Sequence, residues 1–364
     1  MPQRGTSDGG ERNATPAEAE SGAQRLLEKL LAAVDTTRQV AIYTHDQPDP
    51  DSIASACALQ HLLSRRLEVD SIIAFGGTIG RATNRAMVEL LGIRLHPLSG
   101  VDHQAYGTHC MIDTQPETGN HSIPDSLPIA IAIDHHPPRP SARSATFTDV
   151  RTEYGATSTM MFYYLKAAGL DLPTKLATAL LIGIKSDTRG LEREASEADL
   201  YAYLEIFPRA DLTLMARIEN PRIPQRYFEA FHKALEVSAL YDGVVVADMG
   251  DVENPGMIAE MADFLIPLDR AEYALVMGRH KGRLHLSLRT RSDEHDAGAT
   301  IARVVAEMGT AGGHGKMAGA QIPLDGVGAE VGEEVCRRFL AELGKDPATP
   351  PQALIREQGE GQES

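Results

Sequence analysis

Tryptophan is absent from this chain of 364 residues, cysteine occurs 3 times, and aromatic residues make up only 5% of it. So few aromatic side chains argue against a groove that stacks the bases of a long single strand. Cys57, Cys110 and Cys336 stand far apart, in none of the paired spacings of zinc sites or disulfide frameworks. Reduced thiols in a cytoplasmic protein are the expectation. Basic charge is short as well: 35 Lys and Arg face 51 Asp and Glu, a formal net charge of -16. Gripping long double-stranded nucleic acid requires a broad basic surface, so such a partner is not expected. No apolar run reaches about 18 residues, and the opening M-P-Q-R-G-T-S lacks the apolar core of a leader, so neither membrane insertion nor export is expected.

What is present is a globular composition, 42% hydrophobic, at a length that favours two domains. The polar, Gly- and Pro-rich ends, residues 1–23 and 343–364, read as disordered tails. Between them, apolar runs such as Val40–Tyr43, Val69–Phe75, His109–Ile112 and Ile129–Ile133 alternate with helical patterns near 53–67, 81–91, 154–168 and 173–184. Strands alternating with helices predict an α/β fold with a parallel sheet over residues 24–192. Helices over 193–239, broken by P-R-I-P, read as a helical linker. New strands near 244, 273 and 283, a helix at 297–308 and a glycine-rich stretch predict a smaller C-terminal α/β domain over 240–342.

In a parallel sheet the chemistry gathers at the carboxyl ends of the strands. H-D-Q-P-D-P-D-S, His45–Ser52, follows the first apolar run; Asp113 follows C-M-I, and Asp134-His135-His136 follow I-A-I-A-I. Asp187 closes the helical run A-L-L-I-G-I-K-S-D, which can deliver it to the same rim. Alone, a polar loop of this kind reads as a turn more readily than as a site. Its placement beside the other clusters favours a metal centre. His45, Asp49, Asp51, Asp113, His135 and Asp187 offer oxygen and imidazole donors and no thiolate, a set suited to two divalent ions, Mn2+ first, with Mg2+ or Co2+ as alternatives and Fe2+ and Zn2+ left open. Two ions sharing one carboxylate make a hydrolytic centre for phosphoryl chemistry.

At these positions the chain resembles the DHH phosphoesterase superfamily. The family's H-x-x-P-D-x-D stands as H-D-Q-P-D-P-D, its second aspartate in M-I-D-T, its D-H-H as Asp134-His135-His136, and its fourth aspartate in K-S-D-T. The resemblance implies one ion held by His45, Asp49 and Asp113 and another by Asp51, Asp113, His135 and Asp187, with Asp113 bridging. It implies that His136 faces the scissile phosphate as a catalytic, substrate-binding group, and it leaves Asp46 without a role. The second domain resembles the DHH-associated substrate domain, whose G-G-G-H-x-x-A-A-G stands as A-G-G-H-G-K-M-A-G, Ala311–Gly319. Gly312, Gly313 and His314 are thereby expected to approach a phosphate. On the preceding strand Ser287 and Arg289 share a face, and Arg289 is expected to grip a terminal phosphate through its bidentate fork. Ala311 and Met317 depart from the signature, and T-R-G-L after the fourth aspartate departs from the short-RNA-degrading relatives.

These readings point to hydrolysis of phosphate ester bonds in small nucleotides or very short oligonucleotides: an oligoribonuclease, a dinucleotide phosphodiesterase or a 3'-phosphoadenosine 5'-phosphate phosphatase. The alternatives are a family II-like inorganic pyrophosphatase, whose S-R-K signature is not found here, and a non-catalytic nucleotide-binding module. A homodimer is left open.

Overall fold

The computed structural model describes residues 14–192, 195–325 and 330–355, without the side chains of Arg143 and His314. The chain divides into two compact units, Met1–Pro221 and Arg222–Ser364.

The first unit opens with α1 (Pro16–Ala32), which starts inside the stretch expected to be a tail. Thr15 and Glu18 form a reciprocal capping box and Pro16 occupies the first turn. The small residues Ala19 and Ala23 lie on its buried face with Leu27 and Leu30. Composition hid the start of this helix because the buried residues of its first half are alanine and glycine. Residues 1–13 lie outside the described residues.

Then follow β1 (Val40–Tyr43), α2 (Pro50–Leu67), β2 (Ser71–Phe75), α3 (Ala82–Leu91), β3 (Leu95–Pro97), β4 (Thr108–Ile112), β5 (Ile131–Asp134), β6 (Phe147–Val150), α4 (Thr157–Ala167) and α5 (Thr174–Asp187). The six strands form one sheet in the order β3-β2-β1-β4-β5-β6, every neighbouring pair parallel. The winding reverses between β1 and β4, so a crevice is expected at their carboxyl ends. Residues alternate between the two faces: Val40 and Ile42 join the core beneath α1, α2, α4 and α5, whereas Ala41 and Tyr43 join a smaller cluster with Ala74, Met111 and Ile123. Burial on both faces explains why these strands read as unbroken apolar runs. The short edge strands β3 and β6 had too little apolar sequence to be recognised as strands.

The expected linker is shared between the units. α6 (Glu197–Ile206) and α7 (Leu212–Glu219) bury Ala198, Ala202, Ile206, Met215 and Ile218 in the first core. α8 (Gln225–Val237) contributes Ala234 to the second unit. There β7 (Ala239–Tyr241), β8 (Val244–Asp251), α9 (Gly256–Leu265), β9 (Tyr273–His280), β10 (Arg283–Thr290), α10 (Ala297–Val304), β11 (Thr310–His314), β12 (Met317–Pro323), α11 (Val331–Glu342) and β13 (Gln352–Ala353) build a seven-stranded sheet. Its order is β11-β12-β10-β9-β8-β7-β13, and among the described residues only β8 and β9 pair in parallel. α10 and α11 cover one face and α8 and α9 the other. β13 lies within the expected C-terminal tail, paired with Leu240 and Ala239; residues 356–364 lie outside the described residues.

Candidate metal centre

After β1 the chain leaves the sheet and turns into α2, whose N-cap is Asp49; its Oδ1 accepts from the Ser52 amide at 3.0 Å. Pro50 at the first helical position is preorganised for that start. His45 donates its Nδ1–H to the Asp46 carbonyl at 2.9 Å. That bond turns Nε2 toward Asp49 Oδ1 at 3.5 Å and Asp113 Oδ2 at 3.7 Å.

Asp113 directly follows β4 and takes a left-handed backbone, φ 57°, a strained conformation for a residue with a side chain. Its carboxylate is fully buried. Thr157 Oγ1 donates to Oδ1 at 2.8 Å, whereas Oδ2 has no hydrogen-bond partner among the described residues. Oδ1 also lies 3.6 Å from His135 Nε2 and 3.8 Å from His136 Nδ1.

Asp51, in the first turn of α2, is also fully buried. Its two oxygens accept the backbone N–H groups of Thr157 and Ser158 at 2.7 and 2.8 Å, where the start of α4 offers unpaired donors. His135 donates Nδ1–H to the Tyr154 carbonyl at 3.3 Å and places Nε2 3.4 Å from Asp187 Oδ2. Asp187 is the last residue of α5. One donor atom each from His45, Asp49 and Asp113 lie within 4.8 Å of one another, as do donors from Asp51, His135 and Asp187.

So many buried carboxylates disturb one another's ionisation. Burial, then Asp51, Asp49 and Asp187, holds the Asp113 carboxyl well above the usual range. Burial, followed by Asp187, pushes Asp51 up to about 7. Burial works against charge on His45 and His135, yet Asp49 and Asp187 respectively raise them to about 9. For Asp49 burial is outweighed by His45, and its carboxyl is lowered. A buried Asp113 oxygen, unpartnered among the described residues and amid mutually repelling carboxylates, with two imidazoles turned inward, is a donor set that fits divalent cations.

The profile described as DHH family, N-terminal domain, matches residues 39–184, and the DHHA1 domain profile matches residues 242–344. The chain belongs to the DHH phosphoesterase superfamily. It is 34% identical over 323 residues to an uncharacterised protein of Methanocaldococcus jannaschii, covering 88% of this chain and 66% of that one. It is 27% identical over 158 residues to a probable manganese-dependent inorganic pyrophosphatase of Streptococcus pyogenes, covering 41% of this chain and 48% of the relative. An exopolyphosphatase-related protein from Bacteroides fragilis shares the fold, with a TM-score of 0.70 at 16% identity over 89% of this chain and 96% of its own.

Within the DHH domain, residues that carry no motif hold the named ones in place. Thr157 and Ser158 cradle Asp51 and Asp113. Reading α4 from Tyr154 placed them inside the helix, where their amides would be used. Gln115, fully buried, donates Nε2 to Asp134 Oδ2 at 2.8 Å and accepts from the Arg139 amide at 2.7 Å. Asp134 in turn receives His136 Nδ1 at 2.8 Å, which sets the direction of that ring. Asn84 on α3 donates to the Pro48 carbonyl at 3.0 Å. Asp46 has a structural role: Oδ1 accepts the Ser122 amide at 2.9 Å, and a Cβ on Gly76 would overlap its carboxylate.

In the DHHA1 domain the expected phosphate grip looks different. Arg289 is buried with Nε 2.5 Å from Asp263 Oδ1 and Nη1 2.9 Å from Ser287 Oγ. The shared face of Ser287 and Arg289 is as read from the strand period, but the guanidinium is already engaged by Asp263, on a helix far away in sequence. Gly312 and Gly313 lie in β11, paired antiparallel with β12 as a hairpin. Gly313 has φ 132°, and a Cβ there would come within 2.5 Å of Ala318 Cα, so glycine is required. The hairpin turn is tied to α10: Asp296 caps Ala299 N at 2.7 Å and accepts from Gly315 N. The His314 side chain lies outside the described residues.

Proposed function

We propose that this chain is a two-metal phosphoesterase acting on the phosphate ester bonds of small nucleotides or very short oligonucleotides. The observation that carries the reading is Asp113: buried, left-handed, with one carboxylate oxygen unpartnered among the described residues and placed 3.7 Å from His45 Nε2 while the other lies 3.6 Å from His135 Nε2. In this reading His45, Asp49 and Asp113 would hold one ion and Asp51, Asp113, His135 and Asp187 the other, Asp113 being common to both sets. Divalent ions at this position supply Lewis-acid charge for the phosphoryl oxygens and lower the pKa of a water.

The chain's own residues set up the rest. Tyr154 and Asp46 carbonyls fix the imidazole orientations of His135 and His45, as supporting groups around metal ligands do. His136, oriented by Asp134 and with its side chain 27% exposed, meets a phosphoryl oxygen and steadies charge that grows there. Hydrolysis breaks the ester P–O bond, forms a P–O bond to the oxygen of water, and sends the water proton to the leaving oxygen. Ser287, Gly312, Gly313 and His314 are assigned to substrate in the DHHA1 domain, and Arg289 joins them where a phosphate displaces Asp263.

The net charge of -16 supports a short substrate over a long strand. Manganese use is supported by the likeness to the streptococcal relative, a probable manganese-dependent enzyme. That likeness, confined to 41% of this chain, also favours a second reading as an inorganic pyrophosphatase. The test is to incubate the protein with Mn2+ and separately with pApA, pGpG, a 24-residue RNA, 3'-phosphoadenosine 5'-phosphate and pyrophosphate. Turnover of one or more of the small nucleotides is expected. Turnover of pyrophosphate alone would replace the leading reading with the second, and turnover of the long RNA alone would refute the short-substrate assignment.

A further inference from the structure

A cavity of about 760 Å³ opens at the opposite end of the first sheet, lined by Gln39 before β1, Asp70 and Ser71 at the start of β2, and His96 in β3. At about 3.3 Å of rise per residue, Gln39 to His45 spans roughly 20 Å, so this space is separate from the metal centre. Its volume falls in the range of small-molecule sites, about 300–1,000 Å³.

The lining is unlike the rest of this acidic protein. Arg94 and Lys175 bring positive charge to it and His61 and His96 bring imidazoles, that of His61 held below the ordinary histidine range by burial, against one carboxylate among the described lining residues, Asp70. Lys175 Nζ is steadied by the Leu91 carbonyl at 3.0 Å, which leaves ammonium donors for a ligand. Ser71 Oγ is shielded and has no hydrogen-bond partner among the described residues, although Gln60 Nε2 donates to the Ser71 carbonyl at 2.7 Å. Val69, Leu91, Ile93 and Leu176 supply apolar surface for a ring or chain. Cationic groups on one part and aliphatic groups on another match an organic anion better than a bare ion.

Two helices join this cavity to the metal centre. α2 carries Asp51 in its first turn and Gln60 and His61 at the cavity; α5 carries Lys175, Leu176 and Ala179 at the cavity and Asp187 at its far end. They pack closely at the metal end, where a Cβ on Gly183, one turn before Asp187, would lie 3.2 Å from both Ala54 Cβ and Asp51 Cα. A ligand wedged between their lower ends has a rigid path to the spacing of Asp51 and Asp187.

We propose that this cavity is a second ligand site, for a small organic anion of mononucleotide size, coupled to the metal-ligand residues through α2 and α5. Calorimetry on the full chain, carrying Asp113→Asn and kept in EDTA so that the metal centre is silent, would use AMP, GMP and inorganic phosphate as probes. Saturable binding of AMP or GMP is expected, weakened at least tenfold by adding Arg94→Glu and Lys175→Glu. Both side chains are exposed, and unchanged melting temperatures would show the variants folded. No saturable binding by any probe, binding indifferent to the two charge reversals, or phosphate binding as tightly as the nucleotides would each overturn the site. For the coupling, the Mn2+ affinity of the chain with intact Asp113 is expected to shift severalfold on adding the nucleotide, and to lose that shift in the charge-reversed chain. An identical shift in both would overturn the link between the sites.

Discussion

Gly183→Ala is expected to destabilise the first unit even though alanine is the better helix former. Gly183 sits inside α5 where that helix meets α2 and the start of α4. An added Cβ would overlap Ser158 Oγ and press to 3.2 Å on the Asp51 backbone and on Ala54 Cβ. Rotating Ser158 relieves only the first contact; the other two are backbone and a side chain without rotamers, so the helices must separate. Overpacking of this kind costs about 1–3 kcal/mol, offset by about 1 kcal/mol of helix propensity. The net is a loss of up to about 2 kcal/mol, or up to roughly 8 °C in the melting temperature of a unit this size. The same displacement separates Asp51 from Asp187, so Mn2+ affinity should fall with stability. Gly312→Ala is the control, because a Cβ there meets nothing within 4 Å. Differential scanning calorimetry and Mn2+ titration of both variants read the two effects. A Gly183→Ala protein that melts at or above the parent temperature with parental Mn2+ affinity would refute the packing argument.

Removing the His136 ring by His136→Ala should leave Mn2+ binding intact and lower kcat by roughly 10²–10³ on whichever nucleotide is cleaved, the scale of losing one stabilising group; steady-state kinetics beside metal analysis checks it. The metal-free protein should lose stability as pH rises from 6 to 9. His45 and His135, raised from 6.5 to about 9, favour the fold while charged, and their contributions fade across that window; Asp51, raised from 3.8 to about 7, favours it while protonated, and most of its contribution has already faded between about pH 4 and 7. Melting curves in EDTA across those pH values measure this, and Mn2+ should remove most of the slope; a flat EDTA profile would speak against the crowded-carboxylate picture. Asp263→Ala leaves the Arg289 guanidinium without its carboxylate and should cost about 1–3 kcal/mol in the second unit, read as a shifted denaturation midpoint. A neutral effect there would mean that Arg289 is not held as the structure shows.

The first sheet was legible because its strands are buried on both faces and its polar clusters stand where each strand ends. His45, Asp49, Asp51, Asp113, His135 and Asp187 converge in space from four separate segments, as the rim argument requires. What the sequence did not reveal are the groups whose role depends on meeting a distant partner. Thr157 and Ser158 look like ordinary helix residues until the start of α4 is located within three residues. Gln115 becomes informative only when β5 brings Asp134 beside it. The ion pair of Arg289 and Asp263 joins β10 to α9, a contact no local pattern encodes, so the guanidinium read as open when it is engaged. The start of α1 was missed for a different reason: alanine and glycine bury a helix face without raising its hydrophobicity.

The bridging role of Asp113 is tested most directly by counting ions. Metal analysis after gel filtration in Mn2+ should find two ions per chain, falling to one or none in Asp113→Ala together with loss of hydrolysis. Two ions retained in Asp113→Ala, or none in the parent protein, would contradict a two-metal centre built on that carboxylate.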